Sequence, residues 1–281
     1  MEQDALEDFI RSALAEDTGA GDYSTLSCID AEARGKAILL VKEPGIIAGI
    51  GLAQSIFRFR QEDFVFEAIL ADGDSVRPGD VAFQVSARIQ TILGVERLVL
   101  NCMQRMSGIA TLTRKFVNKL SGYHTRLLDT RKTTPNFRWA EKEAVRIGGG
   151  TNHRMGLYDR IMLKDNHIDY CGGIRKVLER ADAYRKEHRL SIPIEVEARS
   201  GEEVRQIVAT GLADRILLDN FSPEDLAASL SLIPAGTETE ASGGINLENL
   251  EQFAATGVDF ISVGALIHHA VSLDLSLKAI F

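Results

Sequence analysis

Four polar residues recur at nearly even intervals in the second half of the chain, and this restricts the fold more than any other feature. Glu197, Asp219, Glu240 and Ser262 are separated by 22, 21 and 22 residues. Each ends or sits near the end of an apolar run: Pro193 to Glu197, Arg215 to Asp219, Thr237 to Ser242 and Asp259 to Val263. Two more such runs, Arg126 to Asp129 and Arg160 to Lys164, come before them. Helical patterns lie between at 174–188, 202–210, 223–230 and 247–256. Strand alternating with helix predicts a parallel sheet with right-handed crossovers. Polar residues at successive strand ends predict a β/α barrel, which carries its chemistry on the C-terminal rim.

The N-terminal part has another rhythm. Ala5, Leu6, Phe9, Ile10, Ala13 and Leu14 form one stripe at helical spacing. Strand-like runs follow at 37–42, 45–48, 64–70 and 81–85, with a helix predicted over 51–60. This reads as a small α+β unit. A helical pattern then covers 89–120, with a break expected at Ser107-Gly108.

Composition narrows the function. The chain has 281 residues, 45% of them apolar, which is enough for two domains. Its 40 acidic residues against 32 basic ones leave a net charge of −8, which argues against nucleic acid as the main partner. Cys28, Cys102 and Cys171 form neither a disulfide framework nor a zinc spacing. The acidic N-terminus lacks the apolar segment of a signal peptide. No apolar stretch approaches the roughly 20 residues of a membrane helix. A soluble, cytoplasmic protein is expected. Neither a dinucleotide fingerprint after the first strand nor a P-loop is found.

Charge is unevenly distributed. Residues 126–164 hold nine Lys or Arg and four acids, which is +5 within an acidic chain. Arg138, Lys142 and Arg146 share a helical face beside Glu141 and Glu143 and read as structural, solvated charges. Arg131 and Lys132 instead follow a strand, and Lys164 ends another. Between them, Gly148-Gly-Gly permits close backbone approach, and His153-Arg154 supply donors. Arg131, Arg154 and Lys164 suit an anion with more than one carboxylate. Glu197 and Asp219, on neighbouring strand ends, can hold Mg²⁺ through a sugar diphosphate or stabilise positive charge on a sugar ring. They could also simply pair with Lys132 or Lys164. Ser242-Gly-Gly-Ile245 and Val263-Gly-Ala265, one repeat apart, suit phosphate binding on backbone amides at helix N-termini. His124, His188, His268 and His269 receive no role.

These segments resemble one family. The blocks are Leu128-Asp-Thr-Arg-Lys-Thr-Thr-Pro135, Gly148-Gly-Gly-Thr-Asn-His-Arg154, Leu163-Lys-Asp-Asn-His-Ile168, Glu195-Val-Glu197, Leu218-Asp-Asn220, Glu240-Ala-Ser-Gly-Gly-Ile245 and Ile261-Ser-Val-Gly-Ala265. Together with Glu96-Arg97 and Gln104-Arg-Met-Ser-Gly-Ile-Ala-Thr111, they are similar to quinolinate phosphoribosyltransferases, in order and over nearly the whole chain. The resemblance implies an α/β fold: an N-terminal α/β sandwich domain at 1–108, completed by about 270–281, and an open seven-stranded β/α barrel at 109–269. It implies transfer of phosphoribose from phosphoribosyl pyrophosphate to quinolinate, with loss of CO₂ and pyrophosphate, in NAD synthesis. It also implies a homodimer, or a higher assembly, with shared active sites.

By motif, Arg131, His153, Arg154 and Lys164 would bind the quinolinate carboxylates, with Thr130 beside them and Arg97 reaching in from the neighbouring subunit. Lys132, Glu197 and Asp219 would serve the ribosyl pyrophosphate and its Mg²⁺, the two acids as metal ligands. Ser242, Gly243 and Gly244, with Val263, Gly264 and Ala265, would hold phosphate. Two other readings stay open. One is a paralogous phosphoribosyltransferase associated with molybdate transport, acting on another aromatic acid. The other is a non-catalytic anion-binding protein.

Overall fold

Side-chain alternation builds the first sheet. In the strand Arg34–Val41, residues Ala37, Leu39 and Val41 are buried while their neighbours are more exposed. The structure, a computed structural model, describes residues 3–280. Among these residues the strands are β1 (Arg34–Val41), β2 (Gly45–Ile46), β3 (Val65–Ala68), β4 (Ser75–Val76), β5 (Val81–Arg88), β6 (Arg126–Leu128), β7 (Ile161–Leu163), β8 (Ile194–Ala198), β9 (Arg215–Asp219), β10 (Glu238–Ser242), β11 (Phe260–Ser262) and β12 (Leu275–Ile280). No helix among them is long and apolar enough to cross a membrane.

The chain divides into two compact units. The first comprises residues 1–114, 134–149 and 269–281; the second comprises 115–133 and 150–268. In the first, β12, β1, β5 and β3 form an antiparallel sheet in that order. The C-terminal strand thus pairs with the first one, and Leu39 lies opposite Leu277. Residues 134–149, contiguous with barrel sequence, also pack in this unit. There Glu141, fully buried on the helix Arg138–Ile147, accepts the Thr134 N–H at 2.7 Å and the Arg105 Nε–H at 2.9 Å. Lys142 next to it has no solvent exposure. The expectation of a solvated basic face therefore holds for Arg146, which is exposed and paired with Glu143, but fails for Lys142.

The expected break at Ser107-Gly108 is also absent, because one continuous helix spans Ile89–Lys119. Both residues serve packing instead. Ser107 Oγ accepts the Ala48 N–H at 2.9 Å, and the Val271 carbonyl oxygen lies 2.0 Å from where a Cβ on Gly108 would stand. No side chain fits there.

The second unit is the parallel sheet that the repeat predicts. Its strand order is β6-β11-β10-β9-β8-β7. Thr151 adds a parallel bridge to Leu128 on the free side of β6. This isolated bridge extends the six-stranded sheet by one residue, where the expected seven-stranded β/α barrel has its second strand. The ring is open: among the described residues no pairing joins Thr151 to β7.

The first unit depends on a small aromatic core. Phe83 is fully buried, with ring centroids 4.5 Å from Phe66 and 6.3 Å from Phe57. Phe83→Ala is expected to cost about 3–5 kcal/mol, the usual range for a buried Phe truncation. Urea unfolding monitored by circular dichroism checks this.

Candidate active site

The two-residue period of a strand determines which side chains share the barrel interior. Glu195 and Glu197 share a face of β8, Arg215 and Asp219 a face of β9, and Glu238, Glu240 and Ser242 a face of β10. The register pairs Glu195 with Arg215 and Arg215 with Glu238. Charges therefore face one another, and except for the exposed Glu238 they do so away from water. Glu195 and Glu240 are 0% exposed and Arg215 is 5% exposed.

Each of these charges is answered. Arg215 donates from Nη1 to Glu240 at 2.9 Å and from Nε to Glu238 at 2.9 Å. Its guanidinium also stacks 4.1 Å from the centroid of Phe260, and Arg126 lies 4.5 Å from the same ring. Arg160 Nη1 reaches Glu195 at 3.2 Å. His153 Nε2 lies 3.2 Å from Glu195 and 3.3 Å from Glu240. Burial pushes the Glu240 pKa upward, but His153 and Arg215 outweigh it and hold the carboxyl below its usual range.

Cations gather on the rim above this layer. Asp129, fully buried after β6, accepts the His153 N–H at 2.8 Å, and its own N–H donates to Thr151. This ties the segment carrying His153 and Arg154 to the end of β6. Arg131 and Arg154 are half-buried there. Arg131 Nε is buried without a hydrogen-bond partner. Burial and the positive charge of Arg131 depress the Arg154 pKa, while Glu195 and Asp159 partly offset this. Two guanidiniums close enough for one to depress the other, with a buried Nε left unpartnered, suit an anion. Thr130 Oγ1 accepts the Lys132 N–H at 3.1 Å.

Further round the rim, Lys164 Nζ lies 3.7 Å from Glu197. Burial raises the Glu197 pKa, and Asp219 and Asp165 raise it further, against the pull of Lys164. Asp219 accepts from Ser242 Oγ and, at 2.6 Å, from Asn220 Nδ2. Gly243 has φ 95°, and a Cβ there would meet Asn220 Oδ1 at 2.1 Å, so only glycine fits. A Cβ on Gly264 would stand 3.0 Å from Lys132 Cδ and 3.1 Å from His268 Nε2. Lys132, Gly264 and His268 thus converge.

Residues 109–278 match the quinolinate phosphoribosyl transferase C-terminal domain, and residues 22–107 match the N-terminal domain of the same family. The chain belongs to the quinolinate phosphoribosyltransferase family. It is 43% identical to a probable nicotinate-nucleotide pyrophosphorylase (carboxylating) of Bacillus subtilis, covering 93% of this chain and 89% of that one. It is 43% identical to a mitochondrial quinolinate phosphoribosyltransferase (decarboxylating) of Nicotiana tabacum, covering 97% and 82%. The solved nicotinate-nucleotide pyrophosphorylase of Francisella tularensis superposes with a TM-score of 0.92 at 37% identity, covering 100% and 98%.

Within this family member, the structure brings most of the sequence candidates to one rim of the second unit: Thr130, Arg131, Lys132, His153, Arg154, Lys164, Glu197, Asp219, Ser242 to Gly244 and Val263 to Ala265. Arg97 stands exposed on the helix Ile89–Lys119 of the first unit. Two expectations need correction. Glu240 is not a rim residue, because β10 continues to Ser242, which registers with Asp219. The Ser242-Gly-Gly loop does not lead straight into a helix either. An Asn246–Asn249 turn intervenes, and the next helix is only Leu250–Ala254. Gly148 packs against Thr113 and the Ala110 carbonyl of the helix Ile89–Lys119, so it serves the fold of the first unit. Sequence reading missed the interior charges Arg160, Glu195, Arg215 and Glu240. Their signal was a charged residue inside, or just before, an otherwise apolar strand. It missed His268 too, whose only signal was its place four residues after Gly264.

A carboxyl with a raised pKa favours the folded state in its protonated form. That contribution is present in acid and is lost as pH rises through the folded-state pKa. Ionised Glu197 therefore costs stability at neutral pH. Glu197→Gln is expected to raise Tm at neutral pH and to lose this advantage in acid, which calorimetry across pH measures.

Proposed function

We propose that this protein transfers the phosphoribosyl group of phosphoribosyl pyrophosphate to quinolinate and releases CO₂ and pyrophosphate, making nicotinate mononucleotide for NAD synthesis. Family membership supports the reaction. The observation that carries the substrate class is the coupled pair Arg131 and Arg154, with an unpartnered buried Nε on Arg131, on the same rim as the acidic pair Glu197 and Asp219.

In this reading Arg131, Arg154 and Lys164 hold the two carboxylates of quinolinate, with Thr130 setting the turn below them. Arg97 is contributed by a second copy of the chain in a homodimer with shared active sites, and the enzyme works in the cytoplasm. Lys132 and the Ser242–Gly244 and Val263–Ala265 loops take the phosphates, and His268 stands beside them. Glu197 and Asp219 fit Mg²⁺. They are hard oxygen donors, and their mutual repulsion and burial reward a cation. His153, Glu195 and Glu240 also converge closely enough for a metal, but Arg160 and Arg215 already pair with those carboxylates. When bound at Glu197 and Asp219, Mg²⁺ supplies charge neutralisation for the diphosphate.

The ribose C1–O bond breaks and its electron pair leaves with pyrophosphate. The resulting positive charge on the ribose faces Glu197 and Asp219. The pyridine nitrogen lone pair forms the C1–N bond, and the ring becomes a pyridinium. The 2-carboxylate then leaves as CO₂, its bond electrons pass into the ring at C2, and a proton from solvent completes the C–H bond. The protein's share of the work is positioning and charge.

Purified protein with quinolinate, phosphoribosyl pyrophosphate and Mg²⁺ should release labelled CO₂ and form nicotinate mononucleotide. Turnover of another aromatic acid with none of quinolinate would replace the substrate. Quinolinate binding without turnover would reject the enzyme. Arg154→Ala is expected to lose most activity while its unfolding midpoint stays near wild type; normal kcat/KM in that variant removes Arg154 from the site.

A further inference from the structure

The motif Leu218-Asp-Asn220 ends on a residue in an uncommon backbone state. Asn220 has φ 58°, in the left-handed region that most side chains avoid. It directly follows Asp219, the last residue of β9. Glycine would make this turn without strain. Core packing does not account for the side chain either, because Asn220 is exposed. Its contacts lie on the rim. The backbone N–H donates to the Ser242 carbonyl at 2.9 Å. Side-chain Nδ2 donates to Asp219 Oδ2 at 2.6 Å. Oδ1 is turned toward Gly243 and fills the space that a Cβ would take there.

We propose that Asn220 is a positioning residue: the left-handed turn folds its amide back onto Asp219 and, together with Ser242, fixes the direction of that carboxylate. The inference rests on the transferase reading for what Asp219 does on the rim, but on local geometry for how Asp219 is held. Ser242 Oγ donates to Asp219 Oδ1 and Asn220 Nδ2 donates to Oδ2, so each oxygen takes one donor. A carboxylate with a single donor still swings about its Cβ–Cγ bond. One held at both oxygens does not. Two ionised oxygens offer about four lone-pair sites, so these two bonds leave capacity for a cation. Only the NH₂ end of an amide can meet an ionised oxygen, which decides how the Asn220 side chain is turned.

The same side chain backs the neighbouring loop. Gly243, with φ 95°, packs against the Asn220 amide, and β9–β10 register sets Asp219 opposite Ser242. One amide thus touches both the acid and the first glycine of the Ser242–Gly244 segment. A strained residue kept beside a reacting group, where glycine would be easier, marks a side chain with a task. Donors that hold a liganding carboxylate before its partner arrives spare the cost of ordering it afterwards.

Two variants of the whole protein test this. Asn220→Gly keeps the left-handed turn and deletes the amide. Asn220→Asp keeps the shape and tolerates the turn, but replaces the donor with a second negative charge. In crystal structures grown at one pH, the Asp219 carboxylate should be rotated or spread over several orientations in Asn220→Gly, with β9 unmoved. A carboxylate that stays as in wild type overturns the proposal whether or not quinolinate is the substrate. In steady-state kinetics at pH 8, each variant should lose about tenfold in kcat/KM for phosphoribosyl pyrophosphate, with KM for quinolinate changed less than about twofold. Wild-type kinetics in Asn220→Asp would mean that the side chain only fills space. An equal rise in quinolinate KM would mean general disruption of the rim. Either result sinks the idea. If wild-type protein turns over neither substrate, the functional reading fails, and the two crystal structures still judge how Asp219 is held.

Discussion

A carboxylate with no exposure to water must be answered by protein, and the barrel is organised around that demand. Glu195 and Glu240 lie wholly inside it. Left alone, each would carry a desolvation cost of several kcal/mol. Arg160, Arg215 and His153 answer them, and Phe260 sits beneath two guanidiniums to complete the layer. Removing one partner would expose the rest to the same cost. The layer is therefore cooperative, and it fixes β8, β9, β10 and the short segment at Thr151–Arg154 with respect to one another.

The rim inherits its geometry from this floor. His153 hangs from the buried carboxylates and from Asp129, and Arg154 follows it directly. Glu197 stands two residues above Glu195 on the same strand face, and Asp219 ends the strand whose Arg215 belongs to the floor. Cationic and acidic groups thus meet at one rim through a shared foundation. Arg131 keeps a buried Nε without a hydrogen-bond partner, and burial and Asp219 raise the Glu197 pKa, so the rim favours an anion at the first place and a cation at the second.

Much of this was legible in the chain. Spacing of about one βα unit announced the parallel sheet, and the dense cationic segment supplied the candidate anion binders. Both are local properties: periodicity and charge need no knowledge of what lies across the fold. The misjudged elements depended on distant partners. Gly108 resembled a helix breaker because its sequence neighbourhood says nothing about the Val271 carbonyl pressed against it. Lys142 looked solvated because its helix belongs to a unit built mostly from residues distant in sequence, 1–114 and 269–281. Glu240 was assigned to the rim because a uniform repeat ignores the stagger that tilts barrel strands.

Amino-acid order alone determined the alternation of strand and helix, the family and the set of candidate side chains, because these follow from residue type at fixed spacing. Tertiary structure alone decided which of those side chains form the floor and which the rim. It also decided that the second barrel strand shrinks to Thr151 and that the ring of His153 faces inward. The reason is register: one step along a barrel strand turns a side chain from solvent or ligand toward the core, and only pairing with the neighbouring strand sets that step.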